Sequence, residues 1–276
     1  SSSSSSKQLM YQRVALVTGA NQGIGFHIAK QLVQSGLFGT VVLGCRDAVK
    51  GAAAAAEVGG AFLQPLDVAD AASGRAFADA LRERYGRLDC LVNNAGMAFK
   101  GADPTPFAEQ TAPTLQTNFY GTLALTEALL PLLREGRVSD ARIVNVASMA
   151  GRLGQVSPAL QRAFAAPDLT LPALRALVDG FKSDVAAGVH ASRGWSKSNY
   201  GMSKLALIAA TRVLARDEPD IRVNACCPGY CDTSMTSHKG PRPPAEGARN
   251  AVVLATGPRE SCPTGAFYQD ERPSEW

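Results

Sequence analysis

A chain of 276 residues, 46% hydrophobic and 19% charged, has enough apolar material to bury one large α/β core, and its net charge of +4 is modest. It has no block of like charges and no apolar run near the ~20 residues that cross a bilayer, which excludes a nucleic-acid footprint and a helical membrane span. Six scattered cysteines and the histidines His27, His190 and His238 share no ligand spacing, so no metal is expected and the thiols read as free, as in a cytoplasmic protein.

Residues 1–12, which include Ser1 to Ser6, lack the apolar core of a signal peptide and read as a disordered extension or an appended tag. Residues 13–276 read as one domain. The first strand, residues 14–17, runs into Gly19, Asn21, Gln22, Gly23, Ile24 and Gly25, and residues 26–32 then have helical spacing. A glycine-spaced turn that opens a helix points unpaired N–H groups and the positive end of a dipole at an anion, which makes these residues a candidate diphosphate cradle. The spacing is G-x-x-x-G-x-G, however, and by itself it also fits an ordinary strand-to-helix turn.

Further strands are expected over residues 40–44, 61–66, 88–92, 143–146 and 221–226, with helices between them, among them 73–85 and 114–133. Near-continuous apolar strands alternating with helices predict an α/β fold with a single doubly wound parallel sheet, a Rossmann fold, and a ligand crevice at the strand carboxyl ends. After the second strand, Arg46 and Lys50 lie where a 2′-phosphate would be met, which favours NADP(H), while Asp47 argues the other way unless it caps the next helix. Asp67 and Val68 end the third strand, where Asp67 either accepts from an adenine amino group or caps a helix. Asn93-Asn94-Ala95-Gly96 ends the fourth, with small residues that let a cofactor lie against backbone.

The glycine turn, Asp67-Val68 and Asn93-Asn94-Ala95-Gly96, in this order and at these separations, resemble the short-chain dehydrogenase/reductase family. Asn118, Ser148, Tyr200 and Lys204 match that family's Asn, Ser, Tyr and Lys in order, although each alone has a plain structural reading. The resemblance implies that Tyr200 gives a proton to a carbonyl oxygen and Ser148 donates to that oxygen. Lys204 would lower the phenol's pKa while binding the nicotinamide ribose, and Asn118 would hold a water linked to Lys204.

About 50 residues separate Ser148 from Tyr200, and the stretch near 152–195 reads as a helical insertion with helices at 158–164 and 171–187. It resembles the monomeric NADPH-dependent carbonyl reductases, in which this surface is covered, and so implies a monomer acting on a small-molecule carbonyl compound without nucleic acid or membrane. In that likeness Pro228, Gly229 and Thr233 meet the nicotinamide end of the cofactor, and Met149 and Tyr230 line the substrate site. Two departures stand out: Tyr230 replaces the usual Trp, and Gln22 stands where Lys is common. Cys227 reads as a small buried hydrophobe or a substrate-side thiol. Two other functions compete: an NAD-dependent alcohol or hydroxysteroid dehydrogenase, and a non-catalytic nucleotide-sensing or protein-binding module.

Overall fold

A computed structural model describes residues 12–136 and 140–276; the predicted extension over residues 1–12 lies, but for residue 12, outside them. Seven strands form one sheet in the order β2-β1-β3-β4-β5-β6-β7. They are β1 (Val14–Thr18), β2 (Thr40–Gly44), β3 (Cys90–Asn93), β4 (Arg142–Val146), β5 (Arg222–Cys226), β6 (Phe267–Gln269) and β7 (Arg272–Ser274), and all pairings are parallel except β6 with β7.

Side chains alternate across each strand, so both faces must be covered. Val14 and Leu16 face a core shared with α3 (Ala71–Tyr85), α5 (Thr122–Gly136) and α8 (Asn199–Asp217). Ala15 and Val17 face the other core, shared with α1 (Gly23–Gln34), α2 (Ala48–Val58) and α10 (Arg249–Thr256). The remaining helices are α4 (Phe107–Leu115), α6 (Pro158–Phe164), α7 (Leu171–Ala186) and the short α9 (Pro244–Gly247). Strand order reverses between β1 and β3, so the loops leaving their carboxyl ends part there and open a crevice.

Three local expectations change. The segment at 61–66 is not a strand: Ala61 bridges Val42, and Leu66 N–H reaches the Cys45 carbonyl at 2.8 Å, but Pro65 has no N–H to give a ladder at this edge. The helix expected over 114–133 is divided by a π-helical segment, Gln116–Gly121, that carries Asn118. The β6–β7 hairpin was not anticipated. Its two turn residues, Asp270 and Glu271, have φ of 49° and 62°, a type I′ geometry that sequence readings expect from Asn-Gly. Ion pairs from Arg242 to Asp270 and from Arg249 to Glu271, both at 2.8 Å, hold that turn in place of glycine.

Candidate active site

The glycine turn leaves β1 with Gly19 at φ 63° and Gly23 at φ 56°. Gly25 is packed so closely that a Cβ would stand 2.3 Å from the Gly19 carbonyl oxygen and 2.4 Å from Asn94 Nδ2. Asn94 in turn donates to the carbonyls of Thr18 and Gly19 at 3.0 and 3.2 Å, so the amide after β3 fixes the turn after β1. Thr18, which the sequence reading passed over, completes the joint: its Oγ1 accepts from Asn94 N at 3.1 Å and Ala95 N at 3.0 Å. Gln22 precedes α1 without capping it, which leaves the first-turn amides free of a side-chain acceptor.

Two cavities share Gly96 and together form a trench along the carboxyl edge of the sheet. One, of about 310 Å³, is lined by Gly19, Asn21, Arg46, Asp67, Val68 and Ala95. The other, of about 470 Å³, is lined by Ile24, Asn94, Ser148, Tyr200, Lys204, Pro228, Gly229, Tyr230 and Thr233. The fold thus brings most of the predicted residues to these two cavities. Gly23 sits at their rim, where a Cβ would meet Thr233 Cγ2 at 3.6 Å.

The groove suits a dinucleotide with a 2′-phosphate. The uncapped α1 amino terminus offers amides and a dipole for a diphosphate. Arg46 is exposed and meets no carboxylate among the described residues, so its guanidinium is available. Asp47 is the α2 cap, accepting from Lys50 N at 2.9 Å, which removes the objection it raised. Lys50 leans on Asp47 at 3.9 Å. Asp67 is not a helix cap, since Asp70 caps α3; one Asp67 oxygen accepts from Ala69 N at 2.9 Å.

Ser148 follows β4 and caps a 310 turn, its Oγ accepting from Ala150 N at 3.1 Å. Tyr200 and Lys204 share a face of α8, whose start is fixed by the Ser198 cap and by Asn199, which donates to the Phe107 carbonyl at 2.9 Å and accepts from Thr111 Oγ1 at 2.8 Å. Lys204 is 4% exposed, and its Nζ donates to the Val146 carbonyl at 2.8 Å, 5.6 Å from the Tyr200 ring centroid.

Burial pushes the Tyr200 phenol up to about 12, against a hydrogen bond with Ser148 that pulls it down. Burial likewise pushes the Lys204 ammonium down to about 8. Desolvation is the larger influence on the phenol, which stays protonated at neutral pH in the protein without its cofactor.

Two further residues stand apart from the groove. Met149 packs on the cluster of Ala147, Leu207, Cys227 and Phe267, so it lies outside the lining residues. Asn118 is fully buried, and its side chain is committed to protein: Oδ1 accepts from Met97 N at 2.8 Å, and Nδ2 donates to Met97 O at 2.8 Å and Ser203 Oγ at 3.0 Å. It ties the loop behind Gly96 to α8, and Oδ1 keeps a second lone pair that could accept from a water. Cys227 is buried, with Sγ receiving the N–H groups of Met149 and Gly229 at 3.3 Å each.

A family model described as short chain dehydrogenase matches residues 13–163, and one described as Enoyl-(Acyl carrier protein) reductase matches residues 180–255. The chain is 42% identical to Carbonyl reductase [NADPH] 1 of Homo sapiens over 95% of this chain and 98% of that protein. Among solved structures, salutaridine reductase from Papaver somniferum superposes with a TM-score of 0.84 at 33% identity, covering 94% of this chain and 100% of that one. The Pseudomonas aeruginosa RhlG/NADP active-site complex matches with a TM-score of 0.69 at 29% identity, over 92% of this chain and 93% of that one.

Proposed function

The chain belongs to the short-chain dehydrogenase family, and we propose that it reduces carbonyl compounds with NADPH, with Tyr200 as the proton donor. The observation that carries this reading is the pair of cavities meeting at Gly96, one lined by Arg46 and the other by Ser148, Tyr200 and Lys204. When bound, NADPH supplies the hydride that joins the carbonyl carbon. The glycine turn and α1 amino terminus would hold its diphosphate, Arg46 with Lys50 its 2′-phosphate, and Asp67 its adenine. Pro228, Gly229 and Thr233 would border the nicotinamide end.

Tyr200 gives its phenolic proton to the carbonyl oxygen as the carbon is reduced, and Ser148 donates a hydrogen bond to the same oxygen. Lys204 places positive charge beside the phenolate that is left, and Asn118 positions the Met97 loop. A phenol raised by burial is protonated at neutral pH, the form that donates to a carbonyl oxygen. Arg46, in the lining of the cofactor-side cavity, favours NADPH over the NAD-dependent alternative, and the complete set of four polar residues speaks against a non-catalytic sensor.

Phe99, Tyr230 and Met235 border the outer cleft, which suits hydrophobic ketones, aldehydes or quinones. A monomer is supported by α7, whose Leu174, Val178 and Phe181 are buried in the core that α8 shares, while Arg175 pairs with Glu127 at 2.6 Å and Tyr120 bonds Asp179. Cytoplasmic residence is supported by six buried cysteines that form no disulfide.

A panel of carbonyl compounds tested with NADPH and NADH, following loss of the reduced nicotinamide absorbance, checks the reading. Turnover of at least one apolar ketone, aldehyde or quinone with NADPH favoured is the expected result; dinucleotide binding without turnover of any would contradict it.

A further inference from the structure

The two segments that carry the reacting groups also meet outside the cleft. Gly151 ends the 310 turn that Ser148 caps, its N–H donating to the Ser148 carbonyl at 2.9 Å. The turn is pressed onto α8 at the lysine itself: a Cβ on Gly151 would stand 2.7 Å from the Lys204 carbonyl carbon and 2.8 Å from Leu205 N. Gln155 clips this joint from one side, with Nε2 donating to Ala150 O at 2.7 Å and Gly201 O at 3.3 Å.

Trp276 clips it from the other. Its Nε1–H donates to the Gly151 carbonyl at 3.0 Å. The Arg212 guanidinium, about two turns along α8 from Lys204, lies 5.2 Å from the indole centroid, a cation–π contact. The ring also packs against the cluster of Ala147, Leu207, Ile208 and Phe267. One indole therefore holds the Ser148 turn by its N–H and the helix bearing Tyr200 and Lys204 by its face, and it does not line the groove.

We propose that Trp276 is a positioning residue for carbonyl reduction, fixing the Ser148 turn against α8 so that Ser148 and Tyr200 present their hydroxyls to one substrate oxygen. This rests on the reading of those two residues given above. Two donors aimed at one atom lose effect when their spacing drifts, and a displacement of about 1 Å can cost up to ~10²-fold in rate. The N–H bond to Gly151 restrains the spacing without entering the site, so its removal acts on turnover and leaves the cofactor half of the groove alone.

Trp276→Phe keeps a ring under Arg212 and removes the N–H; Trp276→Ala removes both. For Trp276→Phe, kcat is expected to fall about fivefold, the equivalent of one net hydrogen bond. Its KM for NADPH should stay within about twofold, with the thermal unfolding midpoint lowered by no more than about 4 °C, and Trp276→Ala should lose more kcat. Wild-type kcat in folded Trp276→Phe would overturn the inference, as would kcat, NADPH binding and unfolding midpoint all falling together. Tyr200→Phe, run alongside, separates the two ideas: if it retains wild-type turnover the reading of the site fails, whereas if it is inactive and Trp276→Phe is not impaired only this inference fails.

Discussion

The two edges of one sheet carry their buried charges in opposite ways. At the amino-terminal edge, Asp89 is completely buried and fully used: it accepts from Val14 N at 2.8 Å and from Arg87 at 2.5 and 3.0 Å. Asp140 takes Arg142 at 2.6 Å and also Arg222, both cations being 5% exposed. Burial alone would raise the Asp140 carboxyl, and the bonds from Arg222 and Arg142 outweigh it and bring it below its ordinary value. At the carboxyl-terminal edge, Lys204 is as deeply buried but meets the Val146 carbonyl and the Tyr200 ring and no carboxylate among the described residues, and the exposed Arg46 likewise has none. Permanent partners make charge a part of the fold; their absence leaves charge available to a ligand at a cost in stability.

The contrast breaks most visibly at Asp89. Asp89→Ala takes a carboxylate from Arg87 and the acceptor from the buried Val14 amide, and should lose about 3–5 kcal/mol in a urea unfolding curve; a loss under about 1 kcal/mol would show that the edge does not depend on this ion pair. At the opposite edge, Tyr200→Phe should leave the unfolding curve where it is and NADPH binding intact while turnover falls ~10²-fold or more. Arg46→Asp should lower the preference for NADPH over NADH about tenfold or more, read from the two dissociation constants, again with little change in stability; an unchanged ratio would move the 2′-phosphate contact to another residue. The smallest effect has the opposite sign. Lys204→Met removes an uncompensated buried ammonium and should raise the unfolding free energy by about 1 kcal/mol while abolishing turnover; a clear fall in stability would mean that the lysine is structurally satisfied.

The comparison also explains what was legible in the sequence. Strands β1, β2, β4 and β5 are apolar runs buried on both faces, and their pattern comes from local side chains alone. Ser148, Tyr200 and Lys204 were readable through their resemblance to the short-chain family's Ser, Tyr and Lys, while their spacing said only that Tyr200 and Lys204 share a face of α8 and that Ser148 follows β4. The edge segment at 61–66 was misread because its composition is strand-like while Pro65 removes the ladder bond. The β6–β7 turn was missed because Asp270 and Glu271 adopt left-handed φ with help from Arg242 and Arg249, partners remote in sequence. The same holds for Asn118, whose π-helical setting and grip on Met97 depend on tertiary contact, and for Met149, which turns to an apolar cluster that no local pattern announces. The raised phenol of Tyr200 was beyond the sequence for a related reason: desolvation is a property of the assembled pocket.

The most direct test is the pH dependence of kcat/KM for a reducible carbonyl compound. Burial places the Lys204 proton at about 8 and leaves Tyr200 protonated up to about 12, so the rate should be level below about 8 and decline above it as the ammonium charge is lost, with the phenol contributing no limb in this range. A profile that stays level through 8 and turns down only near the ordinary lysine value of 10.5 would contradict the account.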